Sequence, residues 1–244
     1  MERRHIVFLT GAGISVESGL TTFRGKDGLW NNKSWRFLAS TEGYYKYPQD
    51  FLDFYNWRRK KLAEAEPNRA HRLIAELERE YQVTVITQNV DNLHERAGST
   101  NVIHVHGNLT KVCSTKSPHD PRFVEDYPLT EPIRLGDKAG DESHLRPYTV
   151  LFGERALRME AAQEAALHAD VFVVVGTSLA VMPAADLVRY VYKEVPKFVI
   201  DPKEVMACEA VGFEAIRATA GDGMACLVER IKKGEVNIGI KACN

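Results

Sequence analysis

Short apolar runs rich in β-branched residues recur along the chain: "HIVFLT" at 5–10, "VTVIT" at 83–87, "NVIHV" at 101–105, "VFVVV" at 171–175 and "KFVI" at 197–200. Apolar positions follow one another in these runs, the pattern of strands covered on both faces, as in a parallel sheet. Between them the period changes. Over 67–81, Pro67 opens a segment in which Ala70, Leu73, Ile74 and Leu77 recur at helical spacing. "VMPAADLVRYV" predicts another helix, with Pro183 near its first turn. Strand–helix alternation of this kind predicts an α/β fold with a doubly wound parallel sheet, Rossmann-like.

Two segments break the alternation. Residues 26–66 are aromatic and helical, and residues 112–145 are rich in Pro, Asp, Glu and Gly and read as a loop-rich insertion. The expectation is one domain over 1–244. Its large part spans about 1–25, 67–111 and 146–244, and insertions at about 26–66 and 112–145 form a small lobe.

The polar motifs gather where the runs end. "GAGISVESG" (11–19) follows the first run, and glycines there let a backbone approach a phosphate. Arg24 of "TTFRG" could meet that phosphate. "TQNVDNLH" (87–94) puts Gln88, Asn89 and Asp91 beyond the second run, and "IHVHG" (103–107) puts His104 and His106 on one face of the third. Histidine is the commonest general base near neutrality. "GTSL" (176–179) ends the fourth run, and Asp201 ends the fifth, where an acid can accept from ribose hydroxyls. Each motif has an ordinary alternative: a tight turn, a helix cap, a structural histidine. In open α/β sheets, however, ligands bind beyond the carboxyl ends of strands. Together the motifs describe a dinucleotide site with a histidine beside it.

Composition narrows the class. The 244 residues are 44% hydrophobic and 27% charged with net charge -1, so no basic surplus argues for nucleic acid or a membrane surface. No apolar run is long enough to span a bilayer, and the N-terminal run reads as a buried strand. Four cysteines without close spacing suggest reduced thiols and a cytoplasmic location.

The motifs "GAGISVESG…FRG", "TQNVDNLHERAG", "HVHGNL", "RPYTVLFGE" and "GTSLAVMPA", in that order, resemble the sirtuin family of NAD-dependent protein lysine deacylases over roughly residues 5–232. The resemblance implies NAD as cofactor and acyl-lysine proteins as substrates, with nicotinamide and O-acyl-ADP-ribose released. It implies His106 as general base, with Asn89 and Asp91 organising the nicotinamide ribose. Cofactor contacts would come from Gly11, Ala12, Gly13, Ser15, Phe23, Arg24, Trp30, Gln88, Gly176, Thr177, Ser178, Asp201 and Gly223. "VLFGE" (150–154) looks like the strand that pairs with the substrate peptide, through Val150, Phe152 and Gly153. Tyr55 and Arg58 in "FYNWRR" match the Tyr-x-x-Arg signature of the branch that removes succinyl and malonyl groups. An Arg fork and a phenol suit a carboxylate at the far end of an acyl chain. Arg59, one step on, turns away by roughly 100° and reads as exposed.

There are departures from the family pattern. Its structural zinc needs two cysteine pairs, but here Cys113 stands near Lys116 and 137–141 reads "DKAGD". One thiolate cannot make a four-ligand site, and His119 and His144 match no zinc spacing. A metal-free lobe is expected, with Lys116 and Asp141 paired instead. Asp201 stands where the family typically has Asn. Two other functions stay open: an NAD glycohydrolase or ADP-ribosyltransferase using the same Asn89 and His106, and a non-catalytic NAD or ADP-ribose sensor, which would have lost one of them. The sequence leaves the oligomeric state open and is compatible with a monomer.

Overall fold

The computed structural model describes residues 3–22, 29, 33–209 and 211–236. Its strands are β1 (His5–Thr10), β2 (Gln82–Thr87), β3 (Val102–His104), β4 (Gly107–Ser114), β5 (Val124–Asp126), β6 (Leu145–Thr149), β7 (Val171–Val175), β8 (Lys197–Ile200) and β9 (Glu214–Ile216). Six of them form one sheet in the order β3-β2-β1-β7-β8-β9, and every pairing in it is parallel. The chain winds outward from β1 to one edge, then restarts beside β1 at β7 and winds to the other. The strand order therefore reverses between β1 and β7, where a ligand crevice opens in such sheets.

The helices are α1 (Lys33–Leu38), α2 (Thr41–Lys46), α3 (Pro48–Glu64), α4 (Arg69–Leu77), α5 (Leu93–Ala97), α6 (Met159–Leu167), α7 (Met206–Glu209) and α8 (Ala220–Lys232). They account for the continuous apolar runs. Ile6 and Phe8 of β1 face Ile74 of α4 and Leu227 of α8. Val7 and Leu9 pack with Ala162 of α6 and Leu187 on the other face. Side chains alternate along a strand, so a strand covered twice needs an apolar residue at every position. α4 starts two residues after Pro67, where Asn68 and His71 form a reciprocal capping box. The helix expected around Pro183 is a short 3-10 segment, Ala184–Arg189.

The small lobe differs more from expectation. Residues 112–145 are bordered by, and partly built into, an antiparallel sheet in the order β5-β4-β6. α3 lies on it, burying Phe51, Leu52, Phe54, Tyr55 and Leu62 against Leu109, Val112, Ile133, Leu145 and Leu151. Arg59 is not exposed: it is 0% accessible. Its Nη1 donates to Leu109 O at 2.6 Å, and its Nη2 to Pro128 O at 2.5 Å, Tyr127 O at 3.3 Å and Glu131 O at 3.4 Å. The turn of about 100° from Arg58 does carry Arg59 off the Arg58 face, but into the interface between α3 and the 127–133 loop rather than into water.

Asp141, expected to pair with Lys116, is held mainly by a hydrogen-bonded knot; the charge of Lys116 acts on it only as a lesser influence, without a direct ion pair among the described residues. Asp141 accepts from Ser114 Oγ and from Ser143 Oγ, each at 2.7 Å, and Ser114 Oγ accepts from the amides of Lys116 and Ser117. Burial pushes the Cys113 thiol up to about 11, so it is protonated at neutral pH and a poor metal ligand. Among the described residues, no cluster of three or more His, Cys, Asp or Glu is placed to hold a metal ion. Chelation is accordingly expected to leave the unfolding midpoint unchanged, and elemental analysis to find no stoichiometric zinc. About one zinc per chain, with unfolding on its removal, would reject a metal-free lobe.

Candidate active site

A cleft of about 600 Å³ crosses the carboxyl ends of the parallel strands and runs under the small lobe. Its floor is the switch point. Gly11 N donates to Val175 O at 3.0 Å and Gly13 N to Gly176 O at 2.8 Å, so the turn after β1 lies against the end of β7. A Cβ on Gly13 would stand 2.6 Å from Gly176 Cα, so only glycine permits this approach. Gly11, Ala12, Gly13, Gly176, Thr177 and Ser178 line the middle of the cleft. Asp201 lines it beyond β8, and Gln88, Asn89 and His106 line it beyond β2 and β3. From β3 to β8 is four interstrand steps at about 4.8 Å each, roughly 19 Å in all. That span suits two nucleosides joined by a pyrophosphate.

The polar end is tightly specified. Asn89 Nδ2 donates to Gly11 O at 3.1 Å and Ser15 Oγ at 3.2 Å, which leaves Oδ1 as its acceptor. Ser15 Oγ donates to Asp91 at 3.0 Å, and Leu93 N donates to the same carboxylate at 3.2 Å. Burial raises the Asp91 pKa, and these two donors oppose the shift. Asp91 and Ser15 thus stand behind Asn89 and line a smaller adjoining cavity of about 250 Å³ rather than the main cleft. His106 Nδ1 is 3.0 Å from Gln88 O, and a carbonyl can only accept. The proton is therefore on Nδ1, and Nε2 is the basic nitrogen. Burial lowers the His106 pKa, with the Gln88 bond opposing, which favours the neutral form at pH 7.

Tyr55 and Arg58 line the same cleft as His106. Arg58 Cζ is 5.7 Å from the centroid of the Tyr55 ring and 5.8 Å from that of Phe54. Burial raises the Tyr55 pKa and lowers that of Arg58, and each group's charge opposes the other's shift. Asp91 also favours the charged Arg58. Val150, Phe152 and Gly153 also line the cleft. They do not form the expected strand. β6 ends at Thr149, and beyond it Glu154 N turns back to Leu151 O at 2.9 Å. Phe152 makes a single bridge to Ser40, with its N–H donating to Ala39 O and its carbonyl accepting from Thr41 N. Those two groups are spent on the helical module, so a peptide can pair only with their neighbours. A buried pair, Arg146 Nη2 to Glu154 Oε1 at 2.5 Å, holds this segment, and Arg146 Nη1 also donates to Thr149 O at 2.9 Å.

Two further expectations find different homes. Gly223 does not line the cleft. It lies in α8 against β8, where a Cβ would collide with the Ile200 side chain, so its smallness serves helix–sheet packing. Phe23, Arg24 and Trp30 lie outside the described residues. Sequence reasoning missed Glu17 and Thr149, which also line the cleft. Glu17 accepts from Gly221 N at 2.7 Å and ties the cleft lip to α8. Both residues were inside motifs already recognised, "GAGISVESG" and "RPYTVLFGE".

A glycine turn after β1, an Asn and a His beyond neighbouring strands, and a lobe over the crevice define a protein class. A model of the Sir2 family matches residues 11–183, and the chain belongs to that family. It is 47% identical over 231 residues to the NAD-dependent protein deacylase of Bacteroides thetaiotaomicron, covering 94% of this chain and 97% of that protein. It is 44% identical over 228 residues to the NAD-dependent protein deacylase of Helicobacter pylori strain 26695, covering 93% and 97%. Among solved structures, it superposes on a Sir2 homolog–NAD complex with TM-score 0.83 and 40% identity, covering 96% of this chain and 91% of that one. Sir2Tm bound to a propionylated peptide matches with TM-score 0.75 and 28% identity, covering 96% and 95%.

Proposed function

We propose that this chain is an NAD-dependent protein-lysine deacylase that prefers acyl groups ending in a carboxylate. The observation that carries the reading is the convergence in one cleft of Asn89, a neutral His106 and the Tyr55–Arg58 pair. The cleft also fits the cofactor: glycine turns at the switch point for a pyrophosphate, and an acid beyond β8 for ribose hydroxyls. Bound there, NAD would supply the electrophilic ribose carbon and the nicotinamide leaving group. Asn89, with its amide protons already committed, offers Oδ1 to orient a hydroxyl or a water. Asp91 and Ser15 hold Asn89 rather than touching the reactants. His106 Nε2 takes the proton of the hydroxyl that attacks the acyl carbon. Substrates are acyl-lysine proteins, and the location is cytoplasmic. Among the described residues no helix is long and apolar enough to cross a membrane.

Acyl choice rests on Arg58. A succinyl or malonyl carboxylate meets its fork, whereas an acetyl group gives the half-buried charge no such partner. Hydrogen bonds to charged groups contribute roughly 1.5–3 kcal/mol, or about 10–100-fold in kcat/KM. Arg58→Met is expected to lose that factor on succinyl-lysine peptides and to leave acetyl-lysine turnover similar or better. Tyr55→Phe should act in the same direction, more mildly. Lys60→Met, on the exposed side of α3, is the control. The measurement supplies succinyl-, malonyl- and acetyl-lysine peptides with NAD and follows products by mass spectrometry. Equal losses on all three would mean that Arg58 serves Asp91 or the cofactor instead.

A further inference from the structure

Two histidines two residues apart are anchored on successive carbonyls of the 88–91 loop. His106 Nδ1 meets Gln88 O at 3.0 Å, and His104 Nδ1 meets Asn89 O at 3.3 Å. Their second nitrogens differ. His106 belongs to the cleft wall, whereas His104 Nε2 is 2.7 Å from Glu95 Oε1 on α5. We propose that His104, charged and held by Glu95, is a positioning residue that clamps the Asn89 carbonyl and so aims the Asn89 side chain into the active site.

The hydrogen-bond inventory requires the charge. Nε2 of His104 has two neighbours, the Glu95 carboxylate at 2.7 Å and Asn108 Nδ2 at 3.4 Å. The shorter contact, to a group that can only accept, sets Nε2 as a donor. Nδ1 faces the Asn89 carbonyl at 3.3 Å, which also only accepts, so both ring nitrogens donate, as only an imidazolium does. Burial opposes the charge, but the Glu95 bond and charge, the Asn89 carbonyl and Asp91 outweigh it and raise the His104 pKa. The groups facing the ring are Glu95 on α5, Asp91 in the loop, Asn108 on β4 and the neutral His94 on α5. His106, whose pKa burial lowers against only the Gln88 carbonyl bond, is shifted down instead. Environments that push two neighbouring histidines apart divide their roles: one is kept basic, the other kept charged. When His104 loses its proton, the remaining N–H stays with the Glu95 carboxylate as the stronger, charge-assisted bond. Nδ1 then presents a lone pair to the Asn89 carbonyl, and the clamp opens. Because Asn89 serves every acyl group, the loss is in kcat and independent of acyl identity. This inference goes beyond acyl choice and rests on the deacylase reading only for its kinetic arm.

Two measurements test it on the full chain. In the first, the His104 ring and the Val90 amide, which shares a peptide bond with the Asn89 carbonyl, are titrated by NMR. Both should follow one pKa above that of free imidazole in the parent. Glu95→Gln should lower that pKa, and His104→Gln should abolish the Val90 transition. A Val90 amide that ignores His104 ionisation overturns the proposal, whether or not the chain proves to be a deacylase. In the second, kcat is measured against pH. Glu95→Gln should approach the parent at the acid end of the profile and lose activity at lower pH than the parent on the alkaline side, equally for succinyl and acetyl peptides. A profile superimposable on the parent, or scaled down equally at every pH, overturns it, because a merely structural defect does not move with pH.

Discussion

His106→Ala is expected to reduce deacylation by about 10²–10⁴-fold on every acyl peptide, the range that general-base catalysis supplies. The effect should fall on kcat. His106 contributes a lone pair on Nε2, held by the Nδ1 bond to Gln88 O at 3.0 Å. Calorimetric titration with NAD should therefore still show binding, since the glycine turn and Asp201 are untouched. His106→Asn, which cannot act as a base near neutrality, should fall as far. Turnover of either variant within a few-fold of the parent would remove His106 from its assigned role.

Arg59→Met is expected to unfold the chain more readily without altering acyl choice in the molecules that remain folded. Methionine fills the stem volume but abandons the carbonyls of Leu109, Tyr127, Pro128 and Glu131. A buried acceptor left unmet costs about 1–3 kcal/mol. The closest two, at 2.6 and 2.5 Å, set the scale at about 3 kcal/mol. For a chain of this size each 1 kcal/mol shifts Tm by about 2–4 °C, so a fall of roughly 6–12 °C is expected. Arg59→Lys should lie between, because an ammonium is a point donor and cannot span the same carbonyls as a fork. Lys60→Met should change Tm by no more than about 2 °C, being an exposed surface substitution. Thermal unfolding of the three variants decides the matter. An Arg59→Met midpoint within about 2 °C of the parent would show that the bonds contribute little net stability.

Much of this protein is legible in its sequence alone. The runs that became β1, β7 and β8 have no polar interruption because both of their faces are covered, so burial alone writes their pattern. The polar residues beyond the parallel strands follow from the same topology, which is why Gln88 and Asn89 after β2, His106 after β3, Gly176 after β7 and Asp201 after β8 are legible as cleft residues from position in sequence. α3 was recognisable as a helix, and the Tyr55–Arg58 spacing as one face of it.

Tertiary structure decided the rest, and for identifiable physical reasons. β5 and β9 are short edge strands with mostly exposed side chains, so no apolar run announces them. Arg59 reads as surface because charge normally stays in water; only the fold brings the carbonyls together that make its burial tolerable. Nothing local distinguishes Asp141 paired with a lysine from Asp141 accepting from two serines, since that depends on which loops β4 and β6 bring face to face. His104 and His106 are equivalent by alternation. What separates a clamp from a base is a carboxylate nine residues away in sequence, which α5 places against one ring and not the other.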